Sequence, residues 1–177
     1  MSAQGGGGWP PALAQLHEAG RRAHRCCRSL QRWGPRPMLR SGRDSTRAWA
    51  GLLLRCLDAE VPAFFHHHEE LLLPALMEAV AGSDPVCLRG MATDHEAGRR
   101  QVLGAWAVVR PQLEAIASGG RGALATADIA AFTGPYEALL AHAREELLPM
   151  ADRMLSQAQW DALEGSLHAS PTLRSPC

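Results

Sequence analysis

The chain has 177 residues, 46% of them hydrophobic, which points to one domain with a sizeable core and argues against disorder. Lysine plus arginine and aspartate plus glutamate balance at 18 each, so net charge gives no reason to expect nucleic acid or an anionic membrane as partner. No apolar run nears the roughly eighteen residues of a membrane span, and Met1–Pro10 lacks the layout of a signal peptide.

Ala, Leu, Arg and Glu dominate and β-branched residues are scarce, which favours helix over strand. Residues 1–10 read as a flexible leader, because the glycines and the paired Pro10-Pro11 cannot begin a packed element. A first helix follows from Pro11 to about Trp33. Leu13, Leu16, His17, Gly20, His24, Cys27 and Leu30 recur there every three or four residues. Gly34-Pro35-Arg36-Pro37 ends it, and residues 34–44 read as a solvated basic connection. A second helix is expected from after Ser45 to about Val80, kinked or interrupted at Pro62 and Pro74. Gly82-Ser83-Asp84-Pro85 is a stop-and-restart signal. The third helix, Pro85 to about Ala117, has the cleanest stripe: Leu88, Met91, His95, Gly98, Val102, Trp106, Val109, Leu113. A loop around Gly119-Gly120 leads to a fourth helix capped by Thr126-Ala127-Asp128, with a break expected at Gly134-Pro135. Ser156 caps a short fifth helix over 157–167. Four long amphipathic helices with short connections predict an all-α, up-down-up-down four-helix bundle over 11–168, followed by a loose tail, 169–177.

Two stretches carry chemistry. In Phe64-Phe65-His66-His67-His68-Glu69-Glu70-Leu71-Leu72-Leu73-Pro74, His66 and Glu70 are four apart and share a helix face. His142-Ala143-Arg144-Glu145-Glu146-Leu147-Leu148-Pro149 repeats that spacing with His142 and Glu146. In an antiparallel bundle, His95 lies about ten residues into its helix while Glu70 and Glu146 lie about ten from the ends of theirs, which sets them at one height. His17 and His24 bracket that height on the first helix. Imidazoles bind first-row metals, and carboxylates neutralise and bridge them.

Each residue also has a plainer account. A lone His on an apolar helix face is usually a hydrogen-bonded core residue, and paired glutamates are usually solvated. Their conjunction at one level favours a metal site, since each buried polar group needs a partner. Trp106, Phe64, Phe65 and Tyr136 read as packing. The five cysteines form no Cys-x-x-Cys pair and fit a reduced, cytoplasmic setting, with most of them small buried residues. Cys26 and Cys27 in particular read as core filler, because adjacent helical residues point about 100° apart.

The stretches His66–Leu76, Asp94-His95-Glu96-Ala97-Gly98-Arg99 and His142–Ala151 together resemble the hemerythrin-like, or HHE cation-binding, family. The resemblance covers about residues 11–155. It implies a four-helix bundle with two non-haem iron ions, held by His17, His66, Glu70, His95, His142 and Glu146. The implied function is binding a small diatomic ligand, O2 or NO, or sensing iron or redox state. Peroxide or NO reduction or ferroxidase chemistry at the same centre is the enzymatic alternative, and a metal-free helical interaction module is the other. Both His-x-x-x-Glu segments reach their proline early for the family. His67 with Glu70, His66 with Glu69, and His24 in place of His17 therefore stand as alternatives.

Overall fold

The structure, a computed structural model, describes residues 9–36, 42–80 and 86–169. Among them the chain is all-helical. Its helices are α1 (Pro11–Trp33), α2 (Arg43–Phe65), α3 (Leu73–Ala79), α4 (Val86–Ala117), α5 (Thr126–His142), α6 (Leu148–Met154) and α7 (Gln157–Ala169). Two π-helical segments interrupt the α geometry: His66–Leu72 joins α2 to α3, and Ala143–Leu147 joins α5 to α6. No helix among the described residues is long and apolar enough to cross a membrane. Most of the expected leader, the middle of the basic connection, the Gly82–Pro85 signal and all but Ala169 of the expected tail lie outside the described residues.

Several helix ends follow from local chemistry. Pro11 occupies the first turn of α1, where its missing N–H costs nothing. At the other end the Gly34 N–H bonds the Leu30 carbonyl at 2.8 Å, and the Gly34 carbonyl accepts from Leu124 N–H at 3.0 Å. Ser156 starts α7 as expected: its N–H donates to Gln159 Oε1 at 3.0 Å, while Gln159 N–H reaches Ser156 Oγ at 3.4 Å. The Thr126 cap is not formed; Ala125 takes the cap position with no side-chain bond.

The breaks expected at Pro62 and at Gly134-Pro135 do not occur, since α2 and α5 run through both. A proline inside a helix costs about 3 kcal/mol. Val61, Phe64 and Phe65 flank the first, Phe132 and Tyr136 the second, and all are buried. Burial of one such side chain is worth about 1.5–3 kcal/mol, so the apolar flanks outweigh the lost bond.

At Pro74 and Pro149 the backbone responds differently. The Leu73 N–H bonds the His68 carbonyl and the Leu148 N–H bonds the Ala143 carbonyl, each five residues back. The widened turn has a packing reason. Phe64, Leu72 and Leu76 are all buried. The twelve residues from Phe64 to Leu76 make about three and a third α turns, which would carry Leu76 about a third of a turn off the core face. A π turn holds more residues and brings it back.

Packing closes a cycle of α1 on α2, α2 on α4, α4 on α5 and α5 on α1. Named contacts show that each neighbouring pair runs antiparallel. Trp49 Nε1 donates to Ser29 Oγ at 2.9 Å and Arg22 pairs with Glu60 at 2.6 Å, joining α1 to α2. Asp58 binds Arg110 at 2.9 and 3.0 Å while Phe64 stacks on His95, joining α2 to α4. Trp106 meets Phe132 and His95 meets His142 between α4 and α5. Gln31 donates to Thr133 at 3.1 Å and His24 pairs with Glu137 at 3.3 Å between α1 and α5. The helix α7 lies against α1 and the first π segment.

Gly98, one turn from His95, faces Leu139 of α5. A Cβ there would meet Leu139 side-chain carbons at 2.9 Å. Gly98→Val should lower the unfolding free energy by about 1–3 kcal/mol in urea titration, because the pressed Leu139 sits in a filled core. An unchanged midpoint would refute the tight approach.

Candidate metal centre

The buried stripe of α2 decides which way the histidine triplet points. Through α2 the buried stripe is Leu53, Leu57, Val61 and Phe64. Four residues further along, that stripe reaches His68, which is 4% exposed, and His67 beside it is 1% exposed. His66 is left on the flank, its Nδ1 2.8 Å from Glu70 Oε2, and Glu70 points to solvent with 67% of its side chain exposed. In the second segment His142 stands on the shoulder of the core, its Nδ1 3.4 Å from Glu146 Oε1, and the Glu146 carboxylate is again outward.

At the centre lies His95, fully enclosed. Its ring is 6.0 Å from that of His68 and 5.7 Å from that of His142, centroid to centroid. Phe64 closes one side, 4.3 Å from the His68 ring. His68 Nδ1 is 2.8 Å from the Phe64 carbonyl, so Nδ1–H donates and the lone pair sits on Nε2. That Nε2, both ring nitrogens of His95, His142 Nε2 and His67 Nε2 are buried with no hydrogen-bond partner. Glu69 is similar: one oxygen faces Arg99 at 3.3 Å and the other is buried and unpartnered.

Burial keeps His67, His68 and His95 neutral. It pushes His68 down to about 3, against the opposing pull of its bond to Phe64, and pushes His67 and His95 down to about 4. Neighbouring rings add to the effect: His66 on His67, and His142 on His95. Burial raises the Glu69 carboxyl, and Arg99 offsets part of that.

The six residues expected as ligands are thus divided. His95 and His142 meet at the centre. His66, Glu70 and Glu146 pair locally on the flank. His17 stacks on Trp9 with centroids 4.2 Å apart, and burial followed by Arg21 and Arg144 lowers its pKa. His17 and His68 nevertheless line one cleft of about 530 Å³ between α1 and α5. His24, the rival to His17, opens on the same cleft and pairs with Glu137 at 3.3 Å. Among the described residues no group of three or more His, Cys, Asp or Glu side chains is placed to hold a metal ion.

The central residue missed from the sequence is His68. Its signal was present: the stripe Leu57, Val61, Phe64 continued by four residues ends on it. The His-x-x-x-Glu pattern drew attention to His66 instead.

No model of a known protein family, no curated protein and no solved structure matches this chain.

In metal-free protein the neutral imidazoles set a pH dependence. Between pH about 6.5 and about 4 the unfolded chain binds protons that folded His67, His68 and His95 refuse, so unfolding becomes easier as pH falls. Urea titration across that window should show a loss on the order of a few kcal/mol, smaller in His95→Leu. A flat curve would contradict the neutral cluster.

Proposed function

We propose that the chain is a hemerythrin-like four-helix bundle that holds non-haem iron at His68, His95 and His142 and binds a small diatomic molecule such as O2 or NO. The observation that carries this is His95: a fully enclosed imidazole, both nitrogens unpartnered, between two others whose Nε2 atoms are also unpartnered. A buried polar atom without a partner costs about 1–3 kcal/mol. With His67 Nε2 these make five ring nitrogens, which would rival the whole net stability of a domain, about 5–15 kcal/mol. A cation supplies the missing partner for several at once.

The residues fit one ion better than a carboxylate-bridged pair. His68 has the arrangement of a metal-binding imidazole: one nitrogen donates to a backbone carbonyl, which fixes the tautomer and leaves the other as a lone pair. His142 is oriented in the same way by Glu146. Glu70 and Glu146 as they stand turn outward, so bridging two irons would need both carboxylates and His66 to swing inward. Nitrogen donors suit iron, zinc, copper or nickel, and iron is the choice the family resemblance favours. An iron with few protein ligands supplies an open position for a diatomic molecule. The cleft of about 530 Å³ gives that molecule a path to His68, and Phe64 shields the ring from bulk water. A cytoplasmic setting goes with this reading.

The test is metal content by mass spectrometry on protein from iron-supplemented cells, with absorption spectra before and after NO or azide. About one iron per chain is expected, falling at least tenfold in His95→Ala and His68→Ala. Glu70→Gln and Glu146→Gln should keep the iron; its loss from both would restore the bridged two-iron arrangement. Folded wild-type protein that takes up no metal would sink the proposal and leave a helical interaction module.

A further inference from the structure

Away from the histidines, α1 and α2 bring two cysteines together. Cys26 Sγ and Cys56 Sγ are 2.6 Å apart, well inside the contact distance of two thiols and close to the bonding distance of about 2.05 Å. Nothing in the local sequence pairs them; they are 30 residues apart and meet because the two helices run antiparallel. The pair lines a groove of about 220 Å³ with Arg22, Arg25, Trp49 and Leu53. Cys26 is half-buried, while Cys56 lies beneath it, 5% exposed. Cys27, next along α1, is enclosed and burial pushes its thiol up, which makes it inert.

We propose that Cys26 and Cys56 form a reversible, peroxide-driven disulfide that clamps α1 to α2. Cys26 is the attacking thiol because it faces the groove. Its thiolate attacks one oxygen of a hydroperoxide, ROOH. The O–O bond breaks, ROH leaves after taking up a proton, and Cys26 becomes a sulfenic acid. The Cys56 thiolate then attacks that sulfur; the S–O bond breaks and water leaves. In sum, two thiols and ROOH give a disulfide, ROH and water: sulfur is oxidised and peroxide oxygen reduced. The groove gives a small hydroperoxide room to reach Cys26. A small-molecule thiol reverses the bond by exchange. The inference is independent of bound iron and goes beyond the reading above.

The experiment uses metal-free, fully reduced Cys87→Ser/Cys177→Ser protein treated with one equivalent of hydrogen peroxide. Peptide mapping should find Cys26 joined to Cys56 and Cys27 unmodified. Cys56→Ser added to that background should stop at the sulfenic acid, trapped by dimedone on Cys26; Cys26→Ser should give neither adduct nor cross-link. The oxidised protein should melt about 5–15 °C higher, with the shift removed by dithiothreitol. Diamide serves as a second oxidant that needs only the sulfur–sulfur approach. A pair joined by diamide but not by peroxide would overturn the peroxide chemistry. A folded protein in which neither oxidant joins the pair would overturn the proposal entirely. Loss of iron binding in the histidine variants would affect none of these readouts.

Discussion

The turns before Pro74 and Pro149 have to satisfy a backbone constraint and a packing constraint at once. Proline has no N–H to give and its ring crowds the carbonyl four residues back. The residue in front of each proline bonds five residues back instead of four. Proline alone does not dictate this, since Pro62, Pro111 and Pro135 sit inside ordinary α geometry. What distinguishes the two sites is that apolar residues on both sides face the same core although α geometry would put them out of phase: Phe64 with Leu72 and Leu76 and, by a smaller angle, Tyr136 with Ala151. A wider turn is the local way to absorb the mismatch in phase, and π turns recur at functional positions for that reason.

The histidines sit beside those turns. The α2 stripe, continued by four residues, places His68 in the core and leaves His66 with Glu70 on the flank. The core is otherwise aromatic and aliphatic, with Phe64, Phe65, Phe132 and Tyr136 packed on one another. An imidazole in such surroundings gives up its charge and keeps its lone pair, which is the state a metal requires. Burial therefore serves the chemistry and strains the fold together.

A second junction ties α1, α2 and α5 just before the first π segment. Glu60 holds Arg22 with its side chain, and its carbonyl accepts from the enclosed Tyr136 hydroxyl at 3.3 Å. Cys56 lies one turn earlier on α2, opposite Cys26. Changes in how α1 meets α2 are thus felt next to the cleft that opens on His68.

Much of this was legible in the residues. The helical class, the extent of α1, the end of the second helical stretch near Val80, the α4 stripe with His95 inside it and the Ser156 start of α7 follow from periodicity and capping, which are local properties of the chain. Counting along antiparallel helices set His95 level with Glu70 and Glu146; the structure brings His142 to His95 and turns both carboxylates outward. Three matters were not local. Whether Pro62 and Pro135 break a helix depended on how much apolar surface their neighbours bury. That Leu72 and Leu76 return to the core face beyond His68 depended on a π turn that a fixed 3.6-residue period cannot express. That Cys26 meets Cys56, and does not merely fill the core, depended on the approach of two helices. In each case the sequence by itself set the helices and the chemistry they carry. Only tertiary packing set the rotation of each helix about its axis, because that angle is the balance of burial over the whole core.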